Sequence, residues 1–125
     1  MENVEFPLLV SGVDEKKARE MATEALKAVG LYEVKDHKPD ELSGGQQQLT
    51  TIARSIVNNP AIIWADEPTG NLDTDTAVGI MKLIKKMKQE RNQTYVLVTH
   101  DPDIAKFADR LILMKNGRIE KEVNL

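Results

Sequence analysis

Ala61-Ile62-Ile63-Trp64-Ala65-Asp66-Glu67 is a continuous apolar run closed by two carboxylates. Bounded upstream by Asn58-Asn59-Pro60, it reads as a short parallel strand buried on both faces. Downstream, Ala77, Ile80, Met81, Ile84 and Met87 recur at helical spacing, so a helix is expected from Asp73 or Thr74 to Arg91. Thr94 to Val98 is a second β-rich run, and Asp101-Pro102 opens a short helix as N-cap and first helical residue. Leu111 to Met114 is a third strand, which Asn116-Gly117 turns back through Ile119 and Val123 as a hairpin. This order, strand, helix, strand, helix, strand, strand, predicts an α/β unit over residues 59–125, with a parallel sheet and a terminal hairpin. Trp64 and Tyr95 fall in strands and are expected to pack in the core.

Upstream, residues 1–58 read as a helical portion. Ser43 opens a helix whose apolar stripe is Leu49, Ile52, Ala53, Ile56 and Val57. Asp14 caps an earlier helix that runs to Val29, with Gly30 just past its end. Residues 31–41 are polar and read as a loop. Pro7 is expected to interrupt any helix over residues 1–12.

Composition narrows the function classes. The chain has 125 residues and a net charge of −3 with both signs interspersed, so it carries no electrostatic footprint for nucleic acid. Lys82, Lys85, Lys86 and Lys88 lie on one predicted helix and read as a solvated face. No cysteine is present, which excludes a disulfide framework and a thiolate metal site. No apolar run approaches the length of a membrane span, and the acidic start is unlike a signal peptide, so cytosol is the expected compartment.

Three groups of residues carry chemistry. In Ser43-Gly44-Gly45-Gln46, Ser43 and Gln46 have capping-box spacing, and the two glycines occupy the first turn. First-turn N–H groups lack helical partners, and without side chains there an anion can reach them with the helix dipole in its favour. An ordinary capped helix with a glycine-rich entry accounts for these four residues equally well. Asp66 and Glu67 stand at the carboxyl end of a strand, where α/β sheets bind ligands. One such carboxylate can hold Mg²⁺ through water, and its neighbour can act as general base; the plainer alternative is a solvated pair opening a loop. His100 follows the second strand at the same end, where a neutral imidazole could touch both a phosphate and a carboxylate, although a histidine before Asp-Pro is often only a loop residue. His37 has no such context.

Taken together, these residues resemble the ATP-binding cassette (ABC) ATPases. Leu42-Ser43-Gly44-Gly45-Gln46 is similar to the family's signature motif, Ile62 to Glu67 to its Walker B strand, Asn71-Leu72-Asp73 to its D-loop, and His100 to its switch histidine. Glu2-Asn3-Val4-Glu5, Gln46-Gln47-Gln48 and Glu67-Pro68-Thr69-Gly70-Asn71-Leu72-Asp73 look most like the branch serving lipoprotein release and macrolide export. The resemblance implies a helical subdomain (1–58) joined to the C-terminal part of a P-loop NTPase, RecA-like, parallel-sheet core (59–125). It implies ATP and Mg²⁺ as ligands. Asp66 would organise Mg²⁺, Glu67 and His100 would be catalytic, and Ser43, Gly44, Gly45 and Gln46 would bind nucleotide seated on a second ATPase subunit. Asp73 would communicate across that head-to-tail dimer. A transmembrane permease would dock on the helical subdomain, placing the protein on the inner face of the cell membrane.

The departures from the family pattern are equally specific. No stretch reads G-x-x-x-x-G-K-[ST], and no lysine precedes Ser or Thr, so the Walker A portion is lacking. The resemblance thus implies a C-terminal half that needs a separate N-terminal Walker A half and is inactive alone. Leu49 stands where the family usually has Arg, Thr50-Thr51 replace small apolar residues, and Trp64 is bulkier than the usual aliphatic. Two other readings remain. One is a non-catalytic interaction module docking on a permease or an intact ATPase subunit. The other is a soluble ABC-type ATPase of DNA repair, which would need a coiled-coil insertion that the residues before Ser43 have no room for.

Overall fold

The computed structural model describes residues 1–125. Its elements follow the order α1 (Glu2–Val10), α2 (Glu15–Ala28), α3 (Gly44–Ile56), β1 (Ile62–Asp66), α4 (Thr74–Arg91), β2 (Thr94–Val98), α5 (Pro102–Ala105), β3 (Arg110–Lys115) and β4 (Arg118–Asn124). The α/β order expected for the second half is present, with β1 and β2 parallel.

The first three helices pack on one another. α1 forms in spite of Pro7, which sits inside it and was expected to prevent it. Proline in a helix interior costs about 3 kcal/mol. The offset comes from Val4 and Leu8, one turn apart and fully buried, each worth roughly 1.5–3 kcal/mol. Glu5, buried on the same helix, accepts a hydrogen bond from Arg19 Nε at 2.9 Å. α2 is capped by Asp14, buries Ala18, Ala22, Ala25 and Leu26, and ends where Gly30 takes φ +75°, which lets Leu31 N–H reach the Leu26 carbonyl. The polar stretch after it is more ordered than a plain loop. It contains two 3₁₀ turns, Tyr32–Val34 and Pro39–Glu41.

β1 and β2 pair in register from Ile62 with Thr94 to Asp66 with Val98. Alternation turns Ile63 and Ala65 to the more buried face, while Ile62 and Trp64 face outward. The expectation of burial on both faces is therefore wrong: Ile62 is 51% and Trp64 74% exposed. Helices cover only one face of this two-stranded sheet. Trp64 is surface, not core, whereas Tyr95 is half-buried against the core and its hydroxyl donates to Gln93 Oε1. The third expected strand also departs from prediction. β3 does not join β1 and β2 but pairs only with β4, as an antiparallel ribbon turned by Asn116 (φ +48°) and Gly117 (φ +73°). The hydrophobic core is one cluster, running from Val4 and Leu8 through Ala53 and Ile56 to Ile63, Met81 and Ile104.

Ile62, Trp64 and Val98 lie exposed on a sheet with unpaired edges, which favours association. The isolated chain is expected to self-associate at roughly tens of micromolar, and Trp64→Glu to suppress this by placing a charge on the apolar face. Light scattering checks it. A monomeric parent would refute it.

Candidate functional site

The carboxyl ends of β1 and β2 lie side by side, and the chain turns sharply there. Glu67 follows β1 with φ +46°, a left-handed conformation costing a side-chain-bearing residue roughly 1–2 kcal/mol. It is held by its own N–H donating to the Val98 carbonyl at 2.8 Å and by its carbonyl accepting from Gly70 N–H at 3.1 Å. This turn aims the Glu67 carboxylate back across the end of β2, onto His100.

Glu67 Oε1 accepts from the His100 backbone N–H at 3.0 Å and lies 2.5 Å from His100 Nδ1. Glu67 Oε2 accepts only from Thr99 Oγ1, at 3.3 Å. The His100 ring holds the Glu67 carboxyl below its ordinary value; burial opposes it, and the His100 backbone N–H and the Thr99 hydroxyl add smaller contributions on the side of the ring. With Nδ1–H given to Glu67, Nε2 of the mostly exposed ring remains for a ligand. The two residues expected to be catalytic are thus in direct contact. The Asp66 side chain, exposed at the end of β1, makes no hydrogen bond or ion pair. Thr99 escaped the sequence reading. Its signal was local: its hydroxyl also accepts from Asp101 N–H at 3.0 Å, a turn that Thr-x-Asp spacing favours.

A second group forms at the start of α3. Ser43 Oγ accepts from Gln46 N–H at 3.2 Å, and Gln46 Oε1 accepts from Ser43 N–H at 3.0 Å, completing the expected capping box. Gly44 and Gly45 N–H groups make no hydrogen bond within the chain. The Ser43 hydroxyl keeps its proton free to donate. The glycines also admit a neighbour. A Cβ on Gly44 would meet Leu72 Cδ2 at 3.6 Å, and one on Gly45 would lie 2.8 Å from Thr76 Cγ2. Asp73 caps α4, accepting from Thr76 N–H and Thr76 Oγ1, and these bonds lower its pKa. The structure therefore places Ser43, Gly44, Gly45, Gln46 and Asp73 in one neighbourhood, and Asp66, Glu67 and His100 in another. The turn Pro68 to Leu72 connects the two.

Both lowered carboxyls favour the ionised form in the folded chain. The stability they contribute is present above the ordinary carboxyl range of about 4 and is lost as pH falls through their lowered values. Denaturant midpoints measured from neutral to acid pH are expected to fall along that limb, and Glu67→Gln to flatten it. An unchanged slope in the variant would show that the Glu67–His100 contact is not formed in solution.

Comparison with known proteins identifies the family. The family model for ABC transporter matches residues 2–70. An uncharacterised ABC transporter ATP-binding protein of Methanocaldococcus jannaschii is 47% identical, covering 100% of this chain and 55% of that protein. The lipoprotein-releasing system ATP-binding protein LolD of Bacteroides thetaiotaomicron is 43% identical, covering 98% and 56%. The macrolide export ATP-binding/permease protein MacB of Syntrophobacter fumaroxidans is 44% identical, covering 98% and 17%. A solved dimeric ATP-binding cassette in a post-hydrolysis state, bound to ADP and phosphate, superposes with a TM-score of 0.82 at 46% identity, covering 98% of this chain and 55% of that one. The chain thus spans about half the length of the first two of these relatives and of that solved cassette. By sequence and by fold it belongs to the ABC transporter ATP-binding family, on the branch of the lipoprotein-release and macrolide-export proteins.

Proposed function

We propose that this chain supplies the hydrolytic carboxylate, the switch histidine and the signature helix of an ATP-hydrolysing cassette that drives a transporter. The observation that carries the reading is the clamp on Glu67 by His100 and Thr99 at the carboxyl end of the sheet. Such a clamp fixes one oxygen and leaves the other to meet water. Oε1 has two close donors, whereas Oε2 has one long bond, so Oε2 is the oxygen that takes the proton of an attacking water. Glu67 is ionised at neutral pH, as an ordinary glutamate is, and the His100 contact lowers its pKa further. His100 holds that carboxylate and turns its remaining nitrogen to the γ-phosphate.

No cluster of three or more His, Cys, Asp or Glu side chains is present, so these residues do not form an all-protein metal cage. Asp66, an unpaired carboxylate beside Glu67, instead suits Mg²⁺, which is commonly held by one or two carboxylates with waters and substrate phosphates. Bound there, Mg²⁺ would neutralise charge on the β- and γ-phosphates. Ser43, Gly44 and Gly45 offer a hydroxyl and two free N–H groups at the N-terminus of a 13-residue helix, fit for a γ-phosphate, while the Gln46 side chain steadies that turn. No hydrogen bond joins this group to Glu67, which is consistent with its serving nucleotide on a second subunit. Asp73, which caps α4 beside the signature group, would sense that partner.

Within residues 1–58, the proposed helical subdomain, a groove of about 740 Å³ lined by Phe6, Leu26, Leu31, Val34 and Arg54 suits a cytoplasmic segment of a permease. No helix is long and apolar enough to cross a membrane. Residues 59–125 contribute the catalytic side chains. Phosphate-gripping N–H groups and a lysine must come from a Walker A segment outside these 125 residues, and the chain by itself is expected to be inactive. ATP turnover by the intact cassette and its Glu67→Gln variant tests the reading.

A further inference from the structure

Away from the carboxylate–histidine clamp, Thr76 lies where the signature helix meets the downstream half. Its hydroxyl donates to Asp73 Oδ1 at 2.6 Å, and its backbone N–H donates to Asp73 Oδ2 at 3.0 Å. One residue therefore occupies both oxygens of Asp73. Its methyl group faces the other way, onto Gly45, where a Cβ would come within 2.8 Å. A β-branched side chain is stiff at χ1, so these two contacts are set together. Fixing Oγ1 on Asp73 fixes Cγ2 against Gly45.

Capping α4 requires much less. The Thr76 backbone N–H alone satisfies the cap, as any residue at that position would. The hydroxyl and the methyl are additions, and each touches a residue of the proposed nucleotide site. Gly45 carries one of the two free N–H groups, and its partner Gly44 rests on Leu72, the residue before Asp73. Thr76 therefore ties the position of the phosphate-facing N–H groups to the orientation of Asp73.

We propose that Thr76 is a positioning residue of the ATPase site, coupling Asp73 to the Gly44–Gly45 turn through its hydroxyl and methyl together; this rests on the ATPase reading above. A carboxylate that answers to a neighbouring subunit can then move the signature turn within its own chain, because Thr76 transmits displacement in either direction.

The test compares Thr76→Val, Thr76→Ser and Thr76→Ala in the full-length cassette, reading melting temperature, kcat and KM for ATP. Valine keeps the methyl and the cap but removes the hydroxyl. It is expected to lower kcat about tenfold or more with KM within about twofold, since small misplacements at a phosphoryl-transfer site cost rate more than binding. Serine restores the hydroxyl but not the methyl, so it holds Asp73 without the tie to Gly45, and its kcat is expected to fall between that of valine and the parent. Alanine removes both groups without adding bulk and is expected to lose at least as much kcat as valine, which keeps the test decisive should valine fail to fold. Parent-level kcat in Thr76→Val or Thr76→Ala would overturn the proposal, as would losses that simply follow melting temperature across all three variants. A parent cassette that does not hydrolyse ATP would overturn the ATPase reading itself, and the proposal with it.

Discussion

Glu67→Gln in the intact cassette is expected to reduce steady-state ATP turnover by about 10²–10⁴-fold, the range general-base catalysis contributes. Glutamine's single oxygen can accept from the His100 N–H in place of Oε1, and its NH2 can donate to the Thr99 hydroxyl oxygen with that bond reversed, so the turn after β1 keeps most of its bonds. What it lacks is a site of useful basicity for the proton of the attacking water. ATP affinity is expected to stay within about threefold, because the proposed phosphate donors at Ser43, Gly44 and Gly45 belong to a separate group. The measurement is kcat beside an equilibrium titration with ATP. A variant that turns over ATP at the parent rate would remove Glu67 from the chemistry. One that loses binding in proportion to rate would recast it as a ligand-holding group.

The second large effect is on stability. Gly45→Ala is expected to destabilise the chain by about 1–3 kcal/mol, the usual cost of overpacking. Helix propensity alone predicts the opposite, since alanine is favoured over glycine by up to about 1 kcal/mol in a helix interior. That gain is smaller here because Gly45 lies in the first turn of α3. The new Cβ would stand 2.8 Å from Thr76 Cγ2, and Thr76 cannot rotate away without giving up its bond to Asp73. Overpacking therefore outweighs propensity. Thermal melts of Gly45→Ala alone and combined with Thr76→Ser decide it: removing the Thr76 methyl is expected to recover most of the loss. A single variant as stable as the parent would mean that the two helices can separate freely at this point.

The parts of the fold legible in the sequence were those with local causes. Asp14, Ser43 and Asp101 each cap the helix that their spacing announced, and Asn116-Gly117 turns the hairpin it predicted. Pro7 misled because its penalty is local whereas its compensation is tertiary, coming from the burial of Val4 and Leu8 against α2 and α3. Trp64 misled for a related reason. An apolar run states what a strand tolerates, not what covers it, and here only the face bearing Ile63 is covered. Likewise Leu111 to Met114 reads as a strand whichever neighbour it pairs with, so its separation from β1 and β2 left no trace in the pattern. At the site, Glu67 and His100 were found through motif spacing, and their contact across 33 residues follows from parallel pairing of β1 and β2. Thr76 and Thr99 were missed because their roles lie in contacts: one in the approach of two helices, the other in the second oxygen of Glu67.

The central claim is that these 125 residues hold the hydrolytic and signature parts of an ATPase whose phosphate grip lies elsewhere. Its most direct test is Mg-ATP hydrolysis by the purified chain, alone and mixed with a separately produced polypeptide carrying the Walker A segment of the same cassette. The account predicts no turnover from either piece alone, turnover in the mixture, and loss of that turnover when the chain carries Glu67→Gln. Turnover by the chain alone, abolished by Glu67→Gln, would contradict it by showing that this sequence grips phosphate itself; a mixture that associates but stays inactive would contradict it from the other side.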